Sequence, residues 1–127
     1  MNNVESTFLD GSRTMCGLWE GEALLQAARD VLRQADRGPA AFVATSTEGA
    51  ALAAVCAALR SDGSVWRRVN LMVPTPELEL RVVFVEPVGM GAAWTTAVLN
   101  RYPGAKIVFP AVSLRYASVA ASAAAAA

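Results

Sequence analysis

No histidine occurs anywhere in this 127-residue chain. That removes the commonest general base and the commonest metal ligand together. Surplus charge is missing as well, because eleven Lys and Arg balance eleven Asp and Glu. Proteins that grip phosphate backbones usually carry a basic excess, so the balance argues against nucleic acid as a partner. No apolar run reaches the roughly 20 residues that a membrane-crossing helix needs. The opening Met1-Asn-Asn-Val-Glu-Ser6 also lacks the basic start and apolar stretch of a secretory signal. A soluble, cytoplasmic protein with no membrane partner is expected. Cysteine is scarce too: Cys16 and Cys56 read as two reduced, buried thiols rather than a disulfide or a metal pair.

What is present is a small apolar domain. Hydrophobic residues make up 54% of the chain and the mean hydropathy is +0.36, which sets it apart from disordered compositions. Much of that excess is alanine, which lets layers approach closely but supplies little area per residue. The size suits one domain, expected over residues 1–116, with a low-complexity alanine-rich tail at 117–127.

Periodicity alternates between helix and strand. A short irregular or hairpin segment is expected around Asp10-Gly11. Residues 22–35 then read as a helix with Leu24, Ala27, Val31 and Ala35 on one face. Gly38-Pro39 stops it, and 40–45 is a short apolar strand. Thr47 is expected to cap a second helix whose inward stripe is Leu52, Val55, Cys56 and Leu59. Strands are expected at 65–73 and 78–85, separated by a rigid Pro74-Thr-Pro-Glu77 corner. A third helix at 92–101 and a strand at 106–109 follow, with an edge strand at 112–116. Helices between strands at this spacing imply an α/β fold: a doubly wound, mainly parallel sheet flanked by helices. Ligands bind such sheets at the carboxyl ends of the strands, where the strand order reverses.

Two loops fall at that position. The first is Thr45-Ser-Thr-Glu-Gly49 and the second Glu86-Pro-Val-Gly-Met-Gly91. Glu86, at the end of an apolar strand, is either an acid/base or hydroxyl-binding carboxylate or simply the cap of the following turn. Glu48 sits in the first turn of a helix, where the macrodipole favours a carboxylate without any function. If the loops converge, the two carboxylates face one cleft and could shuttle protons. Ser46 and Thr47 suit helix capping, while Gly49, Gly89 and Gly91 suit positive φ or close backbone approach. Arg67 and Arg68 are neighbours on a strand and point to opposite faces, so one of them could bind an anion in the cleft. Met90 and Trp94 make the second loop apolar.

These two loops, in this order, resemble those of the type I phosphoribosyltransferase family, its orotate branch above all. Glu86 matches the first residue of that family's acidic pair, and Gly89-Met-Gly91 matches its phosphate turn with one residue deleted. Ala44-Thr-Ser-Thr-Glu-Gly-Ala50 resembles the pyrophosphate-binding loop, and Phe8-Leu-Asp-Gly-Ser12 the opening segment. The resemblance implies a homodimer, and it implies that Ser46 and Thr47 donate to an anionic ligand. It also brings magnesium, but only if binding of phosphoribosyl pyrophosphate survives; no other cofactor and no protein-held metal is expected. Several departures from the family pattern coincide. Pro87 replaces the second acid and removes an N–H donor, the phosphate turn has lost its threonines, and the 74–77 corner is too short for a mobile catalytic loop. The expectation is therefore a degenerate phosphoribosyltransferase-like protein that has lost the parent transfer. Its remaining cleft, built from Ser46, Thr47, Gly49, Gly89, Met90, Gly91, Trp94 and Arg67, takes a small, partly apolar ligand. Glu86 and Glu48 would supply repurposed acid/base chemistry, as in a biosynthetic pathway, or the cleft binds without catalysis. The alternatives are a divergent active phosphoribosyltransferase and a non-catalytic partner or scaffold subunit.

Overall fold

A computed structural model of the chain describes residues 21–74 and 78–111. The expected hairpin with Cys16 and Trp19, the 112–116 strand and the 117–127 tail lie outside the described residues. Within them, α1 (Gly21–Gln34) carries Glu22 in its first turn and Arg33 in its last, matching the helix dipole at both ends. Leu24, Ala27 and Val31 recur at helical spacing and are fully or nearly fully buried. Burying a leucine or valine in this way contributes about 1.5–3 kcal/mol. The chain then forms β1 (Ala40–Ala44), α2 (Thr47–Arg60), β2 (Val65–Arg68), β3 (Arg81–Val85), α3 (Gly91–Arg101) and β4 (Lys106–Val108). The exit from α1 into β1 is held by two arginines that meet its last carbonyls. Arg60 Nη1 donates to Gly38 O at 2.8 Å, and Arg81 Nη2 donates to Gly38 O and Arg37 O, each at 3.0 Å.

All strand pairs are parallel, and the sheet order is β2-β1-β3-β4. Helices α1 and α2 cover the face bearing Phe42, Val83, Val85 and Val108. Helix α3 packs on the opposite face, against Val43 and Phe84. This is the expected doubly wound arrangement. Strand β1 is buried along its whole length, and the alanines of β1 and α2 let the helix lie close against the sheet. From β1 the chain winds outward through α2 to β2, and from β3 it winds the other way through α3 to β4. The switch point therefore lies between the carboxyl ends of β1 and β3.

Several element ends shift by one residue from expectation, and three differences bear on the site. The strand expected over 65–73 ends at Arg68. One further ladder-like bond, Val69 N to Ala44 O at 2.9 Å, follows it. Asn70 then turns the backbone, its side-chain Oδ1 accepting from Met72 N at 2.9 Å. This local side-chain bond competes with continued pairing. The connection to β3 is thus 69–80 rather than the 74–77 corner, and Leu71, Leu78 and Leu80 of that connection pack into the α3-side core where a helix would otherwise lie. Strand β3 correspondingly begins at Arg81, not at residue 78. The cap of α2 is Ser46 rather than Thr47; its extended backbone (φ −95°, ψ 164°) and a side-chain bond from Gly49 N meet the requirements of an N-cap.

Candidate functional site

The register of the central pair positions the site. Val43 lies opposite Phe84, so two residues further on Thr45 comes level with Glu86 at the switch point. Glu86 is completely buried. Its Oε2 accepts from Thr45 N at 2.7 Å, from Thr45 Oγ1 at 2.8 Å and from Ser46 N at 3.2 Å, while its Oε1 accepts from Ser46 Oγ. Burying a carboxylate is costly unless hydrogen bonds replace its water, and here each oxygen has a donor. Ser46 Oγ in turn accepts from Gly49 N at 2.9 Å. Two backbone donors of this anion-cradle loop, Thr45 N and Ser46 N just before α2, are thus engaged by a side chain of the same protein, and a third, Gly49 N, by the Ser46 cap.

Gly49 is needed for this contact. A Cβ built there would stand 2.2 Å from Glu86 Oε1 and 2.9 Å from Ala44 Cβ. The role is close approach, whereas Gly91 opens α3 at φ +87°. Gly89 has neither feature.

Thr45 is the hub. Its hydroxyl donates to Glu86 and accepts from Trp94 Nε1 at 3.0 Å, and its carbonyl accepts from Arg68 Nε at 3.3 Å. Trp94 is held edge-on against Phe84, with ring centroids 5.9 Å apart and an interplanar angle of 84°. One residue thereby joins β1, β2, β3 and α3. Its part was not foreseen in the sequence, although a hydroxyl level with an acid at the ends of two adjacent parallel strands would have indicated it.

Beside the switch point, at the carboxyl ends of β1 and β2, lies an open hollow of about 520 Å³. Thr45, Arg68, Val69, Asn70, Leu71 and Met72 line it. Its walls are fixed by the Val69–Ala44 bond, by the Asn70 turn, and by Arg101 Nη2, which donates to Leu71 O at 3.4 Å and also to Val73 O.

The residues expected at the site fall into separate groups. Ser46, Gly49, Glu86 and Trp94 converge on Thr45 or on one another. Thr47 is exposed and Glu48 half-buried at the start of α2. Gly89, Met90 and Gly91 lie exposed on the rim before α3. Arg67 is exposed on β2, and it is the neighbouring Arg68 that lines the hollow. Among the described residues no group of three or more His, Cys, Asp or Glu is placed to hold a metal ion. No described helix is long and apolar enough to cross a membrane.

Two further titratable groups, outside this cluster, have shifted pKa values. Burial alone would raise the Asp30 carboxyl, but bonds from Ala111 N, Arg33 and Gln34 outweigh it and hold the group below its ordinary value. Burial pushes the Cys56 thiol well above the usual range, only slightly relieved by Arg60.

No protein-family model, curated protein or solved structure matches the chain.

Proposed function

We propose that this protein binds a small, partly apolar molecule in the hollow at the carboxyl ends of β1 and β2, and that it does not carry out ordinary phosphoribosyl transfer. The observation behind this reading is the state of the α2 cradle. The amides of Thr45 and Ser46 and both their hydroxyls serve the Glu86 carboxylate. A pyrophosphate that used the donors of Thr45 and Ser46 would have to displace a buried carboxylate from all four of them. The hollow one strand away is open and pre-shaped, and its walls are both polar and apolar. In this reading Glu86 positions the two loops, and the domain is a binding module derived from a phosphoribosyltransferase-like ancestor.

Thermal melting in the presence of candidate ligands tests the proposal. Phosphoribosyl pyrophosphate with magnesium at millimolar concentration should leave the melting temperature unchanged. Small amphipathic fragments should raise it, and Asn70→Trp, which fills the hollow, should abolish the rise. A magnesium-dependent rise with phosphoribosyl pyrophosphate would instead favour the divergent active transferase. The family resemblance carries a homodimer with it, and light scattering that reports a monomer would count against that part.

A further inference from the structure

We infer that the hollow selects a monocarboxylate with an apolar body; this rests on the hollow being the binding site. Its polar groups point to that chemistry. Thr45 is spent, with its amide and hydroxyl on Glu86 and its carbonyl on Arg68. Asn70 has its oxygen committed to Met72 N, which leaves the NH2 group as its open function. The Nε of Arg68 is tied to Thr45 O, and this aims the rest of the guanidinium; among the described residues no acceptor stands on its terminal nitrogens. No carboxylate occurs among the described lining residues. Among the described lining residues, the side-chain groups left open are therefore donors: a two-pronged guanidinium and one side-chain amide.

A planar carboxylate is satisfied by that set, since the arginine fork can meet both of its oxygens at once. A phosphate carries more oxygens and more charge than one arginine fork and one side-chain amide satisfy, and the nearby amides of Thr45, Ser46 and Gly49 are already engaged by Glu86 and Ser46. The remaining wall is apolar. Val69 is buried beneath it, and Met72, 89% exposed, stands over it as a flexible flank. Such a wall matches an aliphatic or aromatic body attached to the acid.

The experiment is an amide-resolved NMR titration of the full chain with hexanoate, 1-hexanol and inorganic phosphate, repeated on Arg68→Met. Methionine keeps the aliphatic stem and removes the fork. Hexanoate is expected to shift the amides of residues 69–72 and to bind about tenfold more tightly than hexanol, as one charge-assisted bidentate contact implies. Arg68→Met should erase that preference, so that hexanoate binds no more tightly than hexanol to the variant. Equal affinity for acid and alcohol, with shifts still at 69–72, would overturn the carboxylate assignment but keep the hollow as a site. Phosphate binding there more tightly than hexanoate would likewise overturn it. If neither acid nor alcohol shifts 69–72, the binding site itself is refuted.

Discussion

Replacing Glu86 separates a positioning role from a chemical one. The carboxylate is fully buried and receives four hydrogen bonds, two from backbone amides and two from hydroxyls. Truncation in Glu86→Ala removes the acceptor and leaves those donors facing a void. An unsatisfied buried donor costs about 1–3 kcal/mol. The two hydroxyls can turn elsewhere, so the two amides carry most of the penalty and the expected loss is about 4 kcal/mol. Glu86→Gln keeps the shape and one acceptor oxygen. Its NH2 would replace Oε1 opposite Ser46, whose oxygen can accept, and Oε2 would remain for Thr45. What it loses is charge assistance, which roughly doubles the strength of such bonds, and about 2 kcal/mol should go with it. Urea unfolding followed by tryptophan fluorescence reads both variants. With a slope near 2 kcal/mol/M, the midpoint should fall by about 2 M for Ala and about 1 M for Gln. An alanine variant within about 0.5 kcal/mol of the parent would refute the latch. A glutamine variant of parental stability that had lost a measured turnover would return Glu86 to acid/base chemistry.

Other perturbations follow from the same geometry. Gly49→Ala should destabilise by about 3 kcal/mol, because its Cβ meets Glu86 Oε1 at 2.2 Å, while Gly89→Ala, with nothing within 4 Å, should change stability by less than about 0.5 kcal/mol. Asp30 has a depressed pKa in the folded protein. Its stabilising contribution is therefore fully present above the unfolded carboxylate value of about 3.9 and is lost as pH falls through the lower folded value. Asp30→Asn should accordingly be less stable than the parent at pH 7, with the gap narrowing below about pH 4; a gap constant with pH would contradict this. Cys56 is wholly buried with a raised pKa. In a Cys16→Ser background it should resist a thiol reagent under native conditions and react at the rate of unfolding, whereas fast native labelling would contradict its placement.

The layer order of this fold is legible in the sequence because each element carries its own period. Leu24, Ala27 and Val31 repeat as one face of a helix, and the run at Val83–Val85 has the continuous apolarity of a strand covered on both sides. The boundary at Arg68 was not legible, because Val69 and Leu71 are as apolar as any strand residue. The strand ends where its partner β1 runs out at Ala44, and the turn bonds at Asn70 lead the backbone away. At the site, the meeting of the two loops was foreseeable from strand ends alone, and Glu86, Ser46 and Gly49 do lie together. Whether Glu86 faces outward or inward depends on a neighbour 41 residues away in sequence, Thr45, and on a glycine small enough to let the carboxylate in. The same limit applies to Arg67 and Arg68, since strand alternation sends them to opposite faces without saying which one meets the hollow. That Pro87 removes an N–H donor from the second loop was legible, but that Glu86 takes the amides of Thr45 and Ser46 is a property of packing.

The most direct measurement of the central claim is an amide-resolved NMR screen of the wild-type chain against small amphipathic fragments, with phosphoribosyl pyrophosphate and magnesium as a separate arm. Fragments should perturb residues 69–72, and the pyrophosphate arm should leave 45–49 untouched. Saturable shifts at 45–49 with phosphoribosyl pyrophosphate, and none at 69–72 with any fragment, would contradict both the role given to Glu86 and the hollow beside it.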